Sequence, residues 1–145
     1  MVDITRIDKI TRKDKASERK PYYSDFYTNF NAHPQNKRLV KYTNEESVKR
    51  SIRNLILTDK YDRPFQPEIG CRVRGLLFEN MSNLIMEEIK ATIRETIEVY
   101  EPRARVIDVI VQTNEARQAY DVYIYFEVIN SVEPVTLNIT LYRAR

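Results

Sequence analysis

The feature that most constrains this chain is a change of apolar period at a proline. Upstream of Pro102, Ile85, Ile89, Ile93 and Ile97 recur every fourth residue, with Tyr100 one turn on. That spacing lines one face of an α-helix, and Glu87, Glu88, Lys90, Arg94 and Glu95 fall on the others. Ser82 or Asn83 suits the N-cap. Pro102 disfavours helical backbone at Glu101, so the helix is expected to stop at about Tyr100. Downstream the period is two. Val106 to Val111 forms a first apolar run. Val122, Ile124, Phe126 and Val128 then alternate with Asp121, Tyr123, Tyr125 and Glu127. Val135, Leu137, Ile139 and Leu141 alternate with Thr136, Asn138, Thr140 and Tyr142. Turn residues at 113–118 and 130–134 join the runs into a three-stranded antiparallel meander.

A second helix is expected at about 44–57. Thr43-Asn44-Glu45-Glu46 has the form of a capping box, and Val48, Ile52, Leu55 and Ile56 share one face. Pro64, Pro67 and Gly70 break the chain after it, and residues 72–80 read as a short helix. The expected fold is therefore α+β: helices followed by the meander, with the long helix covering the sheet's aliphatic face in two layers. Residues 43–145 make up that domain. Residues 1–42 read as an extended N-terminal arm. Its first twenty residues lack the apolar density for a core. Tyr22, Tyr23, Phe26, Tyr27 and Phe30 then crowd into ten residues. Such aromatics pack either on their own domain or on a neighbour.

Composition removes several function classes. Gly70 and Gly75 are the only glycines, too few for a phosphate-cradling loop. Cys71 is the only cysteine and His33 the only histidine, so neither a disulfide, a zinc cluster nor any metal-ligand spacing is expected. No cofactor is implied. No apolar run approaches the roughly 18 residues that cross a bilayer, and the start lacks a secretory signal. Assembly in a reducing cytoplasm is the expectation. Residues 1–42 hold 10 Lys/Arg against 5 Asp/Glu, whereas residues 43–145 hold 14 against 16. A basic arm with aromatics suits a phosphate backbone, but the interspersed acids favour an arm that orders on protein partners over one that binds nucleic acid.

Two motifs carry a resemblance. One is Arg63-Pro64-Phe65-Gln66-Pro67-Glu68-Ile69-Gly70, followed by Leu77-Phe78-Glu79-Asn80. The other is Glu101-Pro102-Arg103, between the long helix and the first strand. In this order and spacing they resemble the baseplate wedge and sheath-initiator family of contractile-tailed phages. That family includes the T4-type wedge protein and a baseplate component of type VI secretion systems. The resemblance covers about residues 43–145 and extends more weakly to Tyr23-Ser24-Asp25. It implies a virion protein of the tail baseplate, present in six copies around the tail tube. It implies that Glu101, Pro102 and Arg103 contact a helical core bundle of other wedge proteins. The tail sheath protein is expected to dock on the C-terminal strands, with the tail tube or hub as a further neighbour. The long arm departs from the family's short members.

The residue chemistry suits that work. Pro102 fixes its own backbone dihedral and holds Glu101 and Arg103 at a defined corner. Arg103 offers a planar fork of donors and Glu101 offers acceptors. The same pair equally suits bracing the domain's own loop. Phe65 is expected in the core, as part of a stiff connection that also supports the corner, and Arg63 and Phe65 are counted with the tripeptide among the expected partner-binding residues. Tyr123, Tyr125 and Tyr142 would give large amphipathic contacts on the less apolar sheet face, beside an edge that a partner strand can join. The alternative is a lysozyme-like peptidoglycan hydrolase. That chemistry needs two facing carboxylates, one with a raised pKa, and Glu79 and Glu101 are the nominees. The reading preferred is a structural protein without catalytic residues.

Overall fold

Helix α1, Asn44–Leu57, opens at a residue with φ of 49°, a left-handed geometry that asparagine tolerates. Its buried face is Ser47, Val48, Ile52, Leu55 and Ile56. In this computed structural model the chain divides into two compact units, Met1–Thr43 and Asn44–Arg145. The structure describes residues 23–26, 32, 34–35, 37–129, 131 and 133–143.

After α1 come the short helix α2, Val73–Leu76, and the long helix α3, Asn83–Tyr100. The short helix is shorter than the sequence suggested, because the chain leaves it in a turn at Leu77 and Phe78 and is irregular by Asn80. The Ser82 hydroxyl caps α3 by accepting from the Ile85 amide at 3.3 Å. Ile89, Ile93 and Ile97 are fully buried along one face of α3, joined by Thr96.

The sheet has the strand order β3-β4-β5, with β3 Ala104–Asn114, β4 Ala119–Val128 and β5 Pro134–Tyr142, all antiparallel. Val122, Ile124, Phe126 and Val128 of β4 and Val135, Leu137, Ile139 and Leu141 of β5 are buried. Helix α3 packs on β3, and α1 packs on α3, β4 and β5. The two-layer α+β arrangement expected from the change of period is the one observed.

Strand β3 runs further than its apolar core at both ends and carries a bulge. Val106 pairs with Phe126 and Asp108 with Tyr125, which leaves Ile107 as the extra residue. The bulge moves the inward set to Val106, Val109 and Val111, so strict alternation fails there. Asn114 ends the strand by accepting from the Arg117 amide at 3.2 Å, and a 3-10 turn, Glu115–Arg117, leads into β4.

In the first unit, β1 (Ser24–Phe26) pairs with β2 (Lys41–Thr43), and Ala32 bridges to Leu39. The Lys41 ammonium lies 5.5 Å from the centre of the Phe26 ring, a cation–π contact. This hairpin was not foreseen, since strands of three residues are too short to show a period. Tyr22, Tyr27, Phe30 and His33 lie outside the described residues.

The two glycines give opposite predictions. A Cβ on Gly70, at φ 154°, would sit 2.6 Å from the Asp59 carbonyl oxygen, whereas one on Gly75 would meet nothing within 4 Å. In urea unfolding, Gly70→Ala is expected to cost about 1–3 kcal/mol and Gly75→Ala to gain about 0.5–1 kcal/mol. Equal midpoints for the two variants would contradict this account of the loop.

Candidate partner-binding site

The helix-to-sheet corner is built around a buried carboxylate. Glu101 is only 3% exposed. Arg103 donates from Nε to Oε1 at 2.6 Å and from Nη2 to Oε2 at 2.8 Å. This is the bidentate fork that makes Arg–carboxylate pairs strong. Ser51 of α1 adds a hydrogen bond to the same carboxylate. Burial disfavours the charge on Glu101, but the Arg103 and Ser51 bonds and the guanidinium charge outweigh it and hold the carboxyl below its ordinary value.

The backbone completes the corner. The Glu101 amide donates to the Ile97 carbonyl at 2.9 Å, the Ala104 amide to the Glu101 carbonyl at 3.0 Å, and the Ile129 amide to the Arg103 carbonyl at 2.9 Å. One tripeptide thus joins the end of α3, the start of β3 and the end of β4. Pro102 is exposed and Arg103 half-buried. The outward surface is a proline and one side of a guanidinium already engaged with its carboxylate.

The proline loop contradicts one expectation. Phe65 is not in the core; it is 97% exposed. The residues of this stretch that do reach the core are Cys71, Val73 and Leu77. Turn bonds from the Gln66 amide to the Arg63 carbonyl and from the Ile69 amide to the Gln66 carbonyl fix the backbone between them. Phe65 is thereby held outward, and Arg63 is exposed beside it. One bond links this loop to the end of α3: the Tyr100 hydroxyl donates to the Glu68 carbonyl at 2.8 Å. Neither the Tyr100 bond nor the Ser51 bond has a signal in the sequence.

On the sheet, Tyr123 and Tyr125 are half-buried neighbours on the outer face, opposite Asn138 and Thr136. Tyr142 is exposed and pairs with Ala119, at the far end of the strand. The three tyrosines therefore do not form one cluster. Between them Asp121 ties all three strands. It accepts from Asn114 Nδ2 at 3.1 Å and from the Thr140 hydroxyl at 2.8 Å. Those two bonds hold its carboxyl below the usual range.

The β5 edge has a definite polarity. The Arg143 amide donates to the Gln118 carbonyl at 2.9 Å, which fixes the alternation of the β4–β5 ladder. In an antiparallel pair, residues that exchange hydrogen bonds alternate with residues that do not. Val135, Leu137, Ile139 and Leu141 therefore turn their peptide groups to β4, while Thr136, Asn138, Thr140 and Tyr142 turn theirs to the outer edge. Pro134 falls on the outward set, where its missing N–H costs no bond. Among the described residues, no strand pairs with that edge.

The chemistry of Glu101 is unlike that of a glycosidase acid. A general acid needs a raised pKa, and this carboxyl is lowered and locked to a guanidinium. Glu79 is exposed. A groove of about 420 Å³ beside α2 and α3 is lined by Lys60, Arg72, Glu88 and Glu95 among others, and by neither nominee. Cys71 is buried, with its thiol pushed up by that burial, which makes it a poor nucleophile.

Fold and corner together define a class: a small α+β domain whose helix-to-sheet turn is fixed by an internal Glu–Arg ion pair. The family profile described as baseplate wedge protein gp25 matches residues 43–133, and the chain belongs to that family. That places it among baseplate wedge proteins. The baseplate wedge protein gp25 of Enterobacteria phage T4 is 42% identical over 57 residues, which is 39% of this chain and 43% of that protein. The match therefore spans less than half of that relative. A Geobacter sulfurreducens protein provisionally named a tail lysozyme has the same fold, with a TM-score of 0.66 at 22% identity over 70% of this chain and 92% of its own. A chain of the anti-feeding prophage baseplate does as well, with a TM-score of 0.59 at 21% identity over 85% of this chain and 86% of its own.

Removing the guanidinium leaves a buried carboxylate without its counter-charge. Arg103→Ala is expected to cost about 2–4 kcal/mol at neutral pH. The sign with pH follows from the lowered Glu101. Its contribution is present above the ordinary value of 4.5 and disappears as pH falls through the folded-state value. The deficit of Arg103→Ala should therefore shrink in acid. A deficit of the same size at every pH in urea titrations would show that the ion pair is not its source.

Proposed function

We propose that this subunit joins two sets of neighbours through two ends of one rigid domain. The Glu101-Pro102-Arg103 corner docks on a helical bundle of other wedge proteins. The β5 edge receives a strand of the first sheath ring and so starts sheath assembly. On this reading six copies surround the tail tube, which brings the tube or hub within reach.

The observation that carries the reading is the open β5 edge. Strand addition needs a run of outward peptide groups in register, and Thr136 to Tyr142 supply them at every second residue. A sheath grows by head-to-tail contacts that never close within one ring, so a starter has to present an edge of the kind a sheath subunit presents. Tyr142, on β5 itself, gives the incoming strand amphipathic surface at one end, while Tyr123 and Tyr125 lie one strand further in and offer the outer face to the rest of the partner. The corner meets the opposite demand. Its polar groups are already engaged with one another, so a partner meets a fixed outline and orders little on binding.

The alternation of β5 gives a direct test. Asn138→Pro removes an outward N–H and no ladder bond, so the fold should stay within about 1 kcal/mol of wild type. Purified sheath protein mixed with this variant should nucleate far more slowly than with wild type. Ile139→Pro removes an inward N–H and should unfold the domain. Undiminished nucleation by a folded Asn138→Pro protein would exclude strand addition at this edge.

A further inference from the structure

Residues 58–71 form a closed loop that holds an aromatic side chain in solvent. The Cys71 amide donates to the Thr58 carbonyl at 2.8 Å and closes its neck. Across it, the Tyr61 amide donates to the Pro67 carbonyl at 2.9 Å, and the Asp59 amide donates to Asp62 Oδ2 at 3.0 Å. Gly70 brings the returning chain close against Asp59. Tyr61 has φ of 74°, a costly conformation for a bulky residue that persists only where its surroundings impose it. Compact loops of roughly 6–16 residues with tied ends are frequently functional. At the apex, between Pro64 and Pro67, Phe65 is 97% exposed, and Tyr61 is 78% exposed.

Phe65 therefore does nothing for the fold, yet the backbone that presents it is braced at four points. We infer that Phe65 is an anchor that seats in an apolar socket on the same neighbouring protein that takes the Glu101–Arg103 corner, with Arg63 on an acceptor at the socket rim. This rests on the corner docking reading above. The link is Tyr100, which directly precedes Glu101 and whose hydroxyl holds the Glu68 carbonyl. Corner and loop are thus tied to each other at one residue and are presented together. An aromatic ring held in advance loses little freedom on binding, and interface cores are rich in aromatics and arginine. The loop's charges favour a protein over a lipid surface. Within the loop Asp59, Asp62 and Glu68 outnumber Lys60 and Arg63, so there is no net attraction to anionic headgroups.

The test uses full-length chain incorporated into assembled tails. Benzoylphenylalanine replaces Phe65 in one preparation and Pro102 in another, and the purified tails are illuminated. The expected result is the same cross-linked baseplate protein from both positions. A product from position 65 with lipid, with a second copy of this chain, or with a different protein from that at position 102 overturns the inference, as does no product at 65. A product at 65 but none at 102 leaves the anchor standing and strikes the corner reading instead. In parallel, Phe65→Ala should unfold at the same urea concentration as wild type. Its incorporation per tail should fall about tenfold or more, and Phe65→Tyr should restore it. Wild-type incorporation of a folded Phe65→Ala chain also overturns the anchor.

Discussion

The bond between the Glu101 carboxylate and the Arg103 guanidinium is the constraint on which the rest of the domain depends. It lies where an eighteen-residue helix becomes a sheet, and it is nearly dry on the carboxylate side. A buried ion pair is weak evidence for stability, since apolar residues of the same volume often do as well. Its value lies in geometry. A planar fork on a carboxylate admits one arrangement, and Ser51 ties that arrangement to α1. The angle between helix layer and strands is set there, and with it the relation between the corner and the distant β5 edge.

Much of this architecture was legible from periodicity. The four-residue spacing of Ile89, Ile93 and Ile97 and the two-residue spacing in β4 and β5 reflect one-sided burial, which sequence patterns report directly. Ser82 and Pro102 mark the ends of α3 because caps and prolines act locally. The misses share a different cause. The bulge at Ile107 is a tertiary adjustment that hides inside an apolar run. Phe65 looks like a core residue by type, but two prolines and the turn bonds around them decide where it points. For Glu101 the sequence leaves open a partner or its own loop, and the fold engages it internally with Arg103 and with Ser51, an unremarkable helix serine.

The candidate site was only partly readable for the same reason. The tripeptide was conspicuous by its place between two elements. That the charges satisfy each other, and that the three tyrosines lie at two separate ends of the outer face, follow from register and rotamer. Those properties also shift the meaning of the motif. It acts less as a pair of reaching charges than as a fixed angle, which is the property a scaffold requires of a joint.

The outward peptide groups of β5 have a cost before any particle exists. Main-chain donors and acceptors do not discriminate between sequences, so a bare edge accepts stray strands as readily as the intended one. What restrains it is the company it keeps. Thr136, Asn138 and Thr140 make that margin hydrophilic, and Pro134 blunts one end. Greasy segments that would otherwise stack there find no dry surface to complete the contact. The same residues that look like weak binders on an open strand are thus guards against clumping, and they leave the edge slow to take up a strand that is not already held in position.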